Sequence, residues 1–190
     1  HPLLMTRGVP GTHDVDLILK FFKKISKNNF STISLPKFDK SIDDRVRRKK
    51  WYKIKKKPNI VILEGWCVGS SSQKLENLKK PINILERTAD QKLKWRKYVN
   101  NQLNKKYKLM YKSLNYFLYL KAKNFSLLRE WRLKQEKKLY LNNKNKKNSK
   151  IMSKNEVLKF MMTYQRITEH MFKEAPKFAS IVFSLNQNHE

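Results

Sequence analysis

The sequence predicts an α/β fold in which helices flank a parallel sheet. Three observations lead there. Ile60-Val61-Ile62-Leu63 is a short, unbroken apolar run that stops at Glu64-Gly65, as suits a strand covered on both faces. Two further runs of strand length lie at residues 116–120 and at Ile181-Val182-Phe183. Segments with helical spacing separate these runs, and strands alternating with helices argue for a layered sheet.

The elements follow in order. Thr12 is the expected N-cap of a first helix, with Asp14 and Asp16 in its first turn, where carboxylates favour the free amides. Val15, Ile18, Leu19, Phe22 and Ile25 then fall on one helical face. A strand is expected at residues 32–35, closed by Pro36, and residues 36–58 read as irregular and basic. After the run at 60–63 a long helix is expected over 89–112, marked by Leu93, Tyr98, Leu103 and Met110. Residues 116–120 are the next strand, although their aromatic content alone also suits a helix. A helix over 125–140 runs into the polar stretch 141–150. Ser153 and Glu156 have capping-box spacing before a helix carrying Val157, Phe160, Met161, Tyr164 and Met171. Ile181-Val182-Phe183 closes the series. There is no internal repeat, and the lysine- and asparagine-rich stretches read as loops within a single domain over 1–190.

Composition bounds the function classes. A chain of 190 residues can build an ordinary core without disulfides or structural metals. The single cysteine, Cys67, excludes an internal disulfide and a multi-cysteine metal site, which fits a reducing compartment. No apolar run reaches bilayer-spanning length. No signal peptide is evident, so a cytoplasmic location is expected, with an organelle left open. The chain opens on His1-Pro2-Leu3-Leu4 rather than methionine, which reads as the interior of a longer polypeptide.

The net charge of +29 invites a nucleic-acid reading, because clustered Lys and Arg release counterions from phosphate backbones. Lysine far outnumbers arginine here, whereas specific recognition favours the planar fork of arginine. The densest runs, at residues 49–57 and 144–147, sit in apparent loops beside Asn and Ser. A solvated basic surface is therefore the preferred reading, and such a surface also attracts anionic metabolites.

Five collinear stretches carry a family resemblance. Thr6-Arg7-Gly8-Val9-Pro10-Gly11-Thr12-His13-Asp14 resembles the R-G-x-P-G-T-H-D signature of the D-glycerate 3-kinase family, P-loop small-molecule kinases related to the phosphoribulokinase and uridine kinase group. Pro36-Lys37-Phe38-Asp39-Lys40-Ser41, followed by Asp44-Arg45, is similar to its P-x-Y/F-D-K-S and D-R element. Ile62-Leu63-Glu64-Gly65-Trp66-Cys67-Val68-Gly69 resembles its strand ending in E-G-W-x-x-G, and Trp131-Arg132-Leu133-Lys134-Gln135-Glu136 matches W-R-L-x-Q-E. Residues 160–171, ending Arg166-Ile167-Thr168-Glu169-His170-Met171, are similar to the family's closing helix.

The resemblance implies phosphoryl transfer from ATP, with Mg²⁺, to the 3-hydroxyl of D-glycerate. It implies a P-loop NTPase-like parallel sheet present only in part. The family's G-x-x-x-x-G-K-[ST] loop, whose amides and lysine hold phosphates, has no counterpart in a chain whose glycines are Gly8, Gly11, Gly65 and Gly69. By resemblance, the central strand and the P-loop lie outside this C-terminal portion, and the chain by itself is expected not to turn over substrate. A small-molecule substrate is the implied partner, with no membrane role; oligomeric state is left open. The alternatives are a related kinase with another small hydroxylated acceptor, or a basic RNA-binding module.

Particular residues then acquire candidate roles. Glu64, closing an apolar strand at a sheet's carboxyl edge, is the candidate catalytic acid; it would order waters around Mg²⁺ or accept a proton from the attacking hydroxyl. The bland alternative is a carboxylate capping a turn. Arg7, Thr12, His13 and Asp14 are candidate substrate-binding residues, since Gly8 and Gly11 let the backbone bend into a helix start that favours an anion. A simple turn and helix cap explains Pro10, Gly11 and Thr12 equally well. Lys37, Asp39, Lys40 and Arg45 are candidate binders of carboxylate or phosphate, or else ordinary surface ion pairs. Arg132 is the candidate for offsetting charge on the transferring phosphates, with Arg129 a second nucleotide-side candidate. An i,i+4 ion pair with Glu136 is the plain reading of Arg132. His170 falls opposite the apolar stripe of its helix and reads as a surface residue.

Overall fold

The computed structural model describes residues 1–5, 7–39, 44–142 and 152–188. In chain order the elements are α1 (Val15–Ile25), β1 (Ile33–Leu35), β2 (Phe38–Asp39), β3 (Asp44–Arg45), β4 (Tyr52–Ile54), α2 (Leu75–Lys79), α3 (Ile84–Ala89) and α4 (Lys94–Gln102). A π-helical turn at Leu103–Tyr107 leads to α5 (Lys108–Tyr111), followed by β5 (Leu118–Ala122), α6 (Phe125–Asn142), α7 (Lys154–Glu174) and β6 (Ile181–Leu185). The α/β class is as expected. The chain divides into two compact units, Asp14–Gly65 and His1–His13 with Trp66–Glu190.

In the unit Asp14–Gly65, α1 forms over the expected apolar stripe, and Val15 is its buried anchor. Its N-cap is Asp14, whose Oδ1 accepts the Leu17 N–H at 3.3 Å, and not Thr12. Residues 36–58 are not irregular throughout. β1 pairs antiparallel with β4, Ile33 opposite Ile54, and β2 with β3, Phe38 opposite Arg45. Trp51 closes this region by donating its indole N–H to the Val46 carbonyl at 2.9 Å. The run at residues 60–63 forms no strand, contrary to expectation, and Ile60 and Ile62 are 80% and 86% exposed. A strand exists only where a neighbour takes up its backbone groups, and no described strand pairs with this segment.

The second unit holds a parallel pair, β5 with β6, in the register Leu118 to Ile181 through Ala122 to Leu185. Parallel neighbours require a long crossover, supplied here by α6 and α7. Ser153 and Glu156 form the expected capping box at the start of α7, which then buries Val157, Met161, Ile167 and Met171. Phe125, Val157 and Met161 make a core between α6 and α7, with Leu128, Leu133, Met152 and Phe172 around it. Glu136, buried on α6, accepts the Met152 N–H at 2.8 Å and ties the two helices together.

A buried ionic network fixes the helices before β5. Glu86, with no exposed surface, receives Arg166 in a fork at 2.7 and 2.6 Å. Arg166 also donates to the carbonyls of Asn77 and Lys80, at 2.8 and 2.7 Å. Asp90 accepts the backbone N–H groups of Trp95 and Arg96 at 2.8 and 3.1 Å, and Arg96 Nε at 2.8 Å. This carboxylate sits over the start of α4, where free amides favour an anion. It breaks the single helix expected over 89–112, and the left-handed Leu93, φ 60°, completes the interruption. No helix among the described residues is long and apolar enough to cross a membrane.

Candidate active site

The segment from Arg7 to His13 is a built turn. The Gly8 N–H donates to Thr12 Oγ1 at 2.8 Å, and that hydroxyl donates to the Val9 carbonyl at 2.7 Å. Thr12 is thus committed to shaping the turn, which is why it does not cap α1. Both glycines are required by close approach. A Cβ on Gly8 would stand 2.1 Å from the Tyr164 hydroxyl oxygen. On Gly11, whose φ is +97°, it would stand 2.5 Å from the Tyr98 ring.

Tyr107, buried beneath the turn, organises His13. Its hydroxyl accepts the Gly11 N–H at 3.1 Å and lies 2.6 Å from His13 Nδ1. Where the phenol donates to Nδ1, the imidazole keeps its own proton on Nε2. Burial, reinforced by the positive charge of Arg7, holds the His13 pKa below its ordinary value. His13 is therefore a neutral imidazole at pH 7 that can donate from Nε2. Burial pushes the Tyr107 phenol up to about 12, so it keeps its proton.

Trp66 anchors the same turn, its indole donating to the Gly8 carbonyl at 2.7 Å. It meets Tyr164 edge-on with centroids 4.4 Å apart, and Phe160 packs on Tyr164 at 4.7 Å. The guanidinium of Arg132, on α6, lies 6.0 Å over the Phe160 ring. Arg132 is half-buried and ion-paired with Glu136, the plain reading raised from sequence, and Nη1 also donates to Gln135 Oε1 at 3.2 Å. A guanidinium has five N–H groups, so donors remain for an anion. Arg129 is exposed and donates to its neighbour Ser126 at 3.1 Å.

The structure brings Arg7, Thr12, His13 and Arg132 into one unit, together with Trp66, Tyr107 and Tyr164. Arg129 belongs to the same unit, and the remaining candidates belong to the other. There, Asp14 caps α1 and pairs with Arg45 at 2.9 Å, both about half exposed, an arrangement that alone contributes little. Lys37 rests over the Tyr52 ring at 5.4 Å, and Asp39 stands opposite Asp44 in the β2–β3 ladder. Lys40 lies outside the described residues. Glu64 is exposed and follows a segment that is not a strand, so its expected place at a sheet's carboxyl edge is not realised among the described residues.

Tyr107 and Tyr164 were not singled out as site residues by sequence reasoning. The available signal was a phenol within an apolar helical stripe, since a buried Tyr hydroxyl needs a partner where Phe would not. His170 is half-buried rather than fully on the surface, with Nε2 3.0 Å from Ser71 Oγ. A cavity of about 450 Å³ opens beside Ser70, Ser71, Ser72, Lys108, Lys112 and Phe117. None of the candidate residues lines it.

No protein-family model matches the chain. It is 28% identical over 172 residues to the "uncharacterized kinase mug58" of Schizosaccharomyces pombe, covering 86% of this chain and 58% of that protein. Over 73 residues it is 42% identical to the "probable ATP-dependent kinase TDA10" of Saccharomyces cerevisiae, covering 35% and 25% respectively. The chain thus spans less than two thirds of the length of either curated relative. In structure, all of it aligns with 68% of the D-glycerate 3-kinase from Cryptococcus neoformans var. grubii, with a TM-score of 0.79 and 22% identity, a likeness of fold. It also aligns in full with 66% of the YGR205w protein, with a TM-score of 0.70 and 26% identity. In sequence the chain is similar to fungal proteins described as kinases, and in fold it is similar to a D-glycerate 3-kinase and to the YGR205w protein, the group its motifs resemble.

Proposed function

We propose that this chain is the C-terminal portion of an ATP-dependent small-molecule kinase, with D-glycerate as acceptor and 3-phosphoglycerate as product. The observation that carries the proposal is the turn from Arg7 to His13. It is held by Tyr107, Trp66 and Tyr164 and presents a neutral imidazole beside cationic Arg7. That arrangement suits a small hydroxy acid: a guanidinium can pair with the carboxylate and the His13 Nε2–H can orient an oxygen.

MgATP supplies the phosphoryl group. Among the described residues no cluster of three or more His, Cys, Asp or Glu forms a metal cage. Mg²⁺ keeps several waters and relies on substrate phosphates plus one or two carboxylates. Glu64 is the proposed carboxylate, acting through water on Mg²⁺ or accepting the acceptor's proton. Arg132, with Arg129 as an auxiliary, offsets charge on the transferring oxygens. Lys37, Lys40 and Arg45 remain proposed contacts to the acceptor's anionic groups, and Asp14 and Asp39 proposed acceptors for its hydroxyls. The G-x-x-x-x-G-K-[ST] loop is absent from these residues, so catalysis is assigned to the full reading frame and not to this chain alone.

The test is ADP release by the full reading frame with MgATP and either D- or L-glycerate. D-selective release supports the proposal. Release with other hydroxylated acceptors but not D-glycerate keeps the kinase and replaces the substrate. Salt-sensitive RNA binding with no response to ATP overturns it.

A further inference from the structure

We infer that the Tyr164 hydroxyl contacts ligand directly, donating a hydrogen bond to an anionic oxygen held between Arg7 and Arg132. The inference rests on the kinase reading above and adds a residue to its site.

Tyr164 lies on α7 among the core positions Met161 and Ile167, and its ring is fully accounted for by packing on Trp66 and Phe160. Its hydroxyl is not. The oxygen projects beyond the aromatic cluster against Gly8, so close that any side chain at position 8 would collide with it. A phenylalanine would pack on the same rings and leave that space open. Among the described residues the contacts of Tyr164 are those of its ring and of its backbone carbonyl, which accepts from Thr168 at 3.0 Å, and none engages the hydroxyl in a hydrogen bond. That hydroxyl is not among the buried polar atoms left without a partner, so water reaches it and a ligand oxygen can take the place of that water.

The surroundings define what that partner is. Gly8 is the residue after Arg7, and Arg132 sits over Phe160, one helical turn from Tyr164. Both arginines favour the ionised phenol, but burial outweighs them and pushes the pKa up to about 12. The phenol is therefore a neutral donor in a positive field, suited to a carboxylate or phosphoryl oxygen and unsuited to a cation. Trp66 completes the design by bonding the Gly8 carbonyl while bracing the Tyr164 ring, which fixes the hydroxyl relative to the Arg7 turn.

The experiment compares Tyr164→Phe with the unaltered protein in the full reading frame. A hydrogen bond to a charged group implies a loss of about ten- to a hundredfold in kcat/KM, with the thermal midpoint unchanged. Loss through KM for the acceptor assigns the contact to its carboxylate, and loss through kcat assigns it to the transferring phosphoryl group. Unaltered kcat and KM in Tyr164→Phe, with an active parent, overturn this inference and leave the kinase reading standing. A parent that neither binds MgATP nor releases ADP with any hydroxylated acceptor overturns both. Should Tyr164→Phe fold poorly, the ring-carbon NMR signal of Tyr164 decides. Titration with D-glycerate and with MgATP should shift it, and no shift with either overturns the inference.

Discussion

Replacing Glu86 by glutamine should destabilise the protein severely without changing its volume. Glu86 has no exposed surface and takes both oxygens to the Arg166 fork, at 2.7 and 2.6 Å, while Oε2 also accepts the Ile82 N–H at 2.9 Å. Arg96 Nη1 approaches the same oxygen at 3.4 Å. Glutamine keeps an acceptor oxygen but leaves Arg166 without an anionic partner, while Arg96 keeps Asp90. Removing one partner of a buried pair costs about 3–5 kcal/mol, because the other charge stays buried and uncompensated. For a chain of 190 residues each kcal/mol moves the thermal midpoint by about 2–4 °C, so a fall of about 6–20 °C is expected. Circular dichroism during heating and in urea measures it. Glu86→Leu combined with Arg166→Met, which removes the pair together, should recover part of the loss. A Glu86→Gln midpoint within about 2 °C of the parent would refute the reasoning, because the network would then carry no uncompensated charge.

Two further outcomes follow from burial. His13 and His170 both have pKa values held below normal by burial, reinforced at His13 by Arg7 and opposed at His170 by Glu174. The unfolded chain then binds protons that the folded chain does not as pH falls below about 6.5. Stability should therefore be lower at pH 5.5 than at pH 7.5; an equal or higher urea midpoint at pH 5.5 would contradict this. Cys67 is 5% exposed and burial pushes its thiol up to about 12, so iodoacetamide at pH 7.5 should modify it at least about a hundredfold more slowly than in the urea-unfolded chain. Equal rates would contradict the buried placement.

Local signals in the sequence translated well into structure. Ser153, Glu156 and the apolar positions of α7 all lie within one helix, so spacing alone defines them. The pair β5 and β6 was legible as apolar runs, displaced by two residues at the start of β5. Thr12 misled because another donor, the Gly8 N–H, takes its hydroxyl oxygen and leaves capping to Asp14. Ile60-Val61-Ile62-Leu63 misled because strand formation depends on a pairing partner that local sequence does not specify. β1 was read at residues 32–35, whereas the strands of two and three residues at β2 to β4 are too short to show a period. The break at Asp90 and Leu93 arises from contacts to Arg96 and to backbone amides.

The site was legible unevenly for the same reason. Arg7 and His13 were visible through a motif, and the structure gives them a physical setting through Tyr107 and Trp66. Tyr107 lies 94 residues from His13, and no local pattern links them. Tyr164 was visible only as an apolar-stripe position, since the approach of its hydroxyl to Gly8 is a tertiary fact. Asp14 and Arg45 looked like independent binders and are in fact each other's partner.

The central claim is that this chain belongs to a kinase for a small hydroxylated acid. ADP release by the full reading frame, with MgATP and D-glycerate against an L-glycerate control, tests it most directly. The account predicts rapid release with the D-isomer and little with the L-isomer. No release with either isomer or any other hydroxylated acceptor, together with no binding of MgATP, would contradict it.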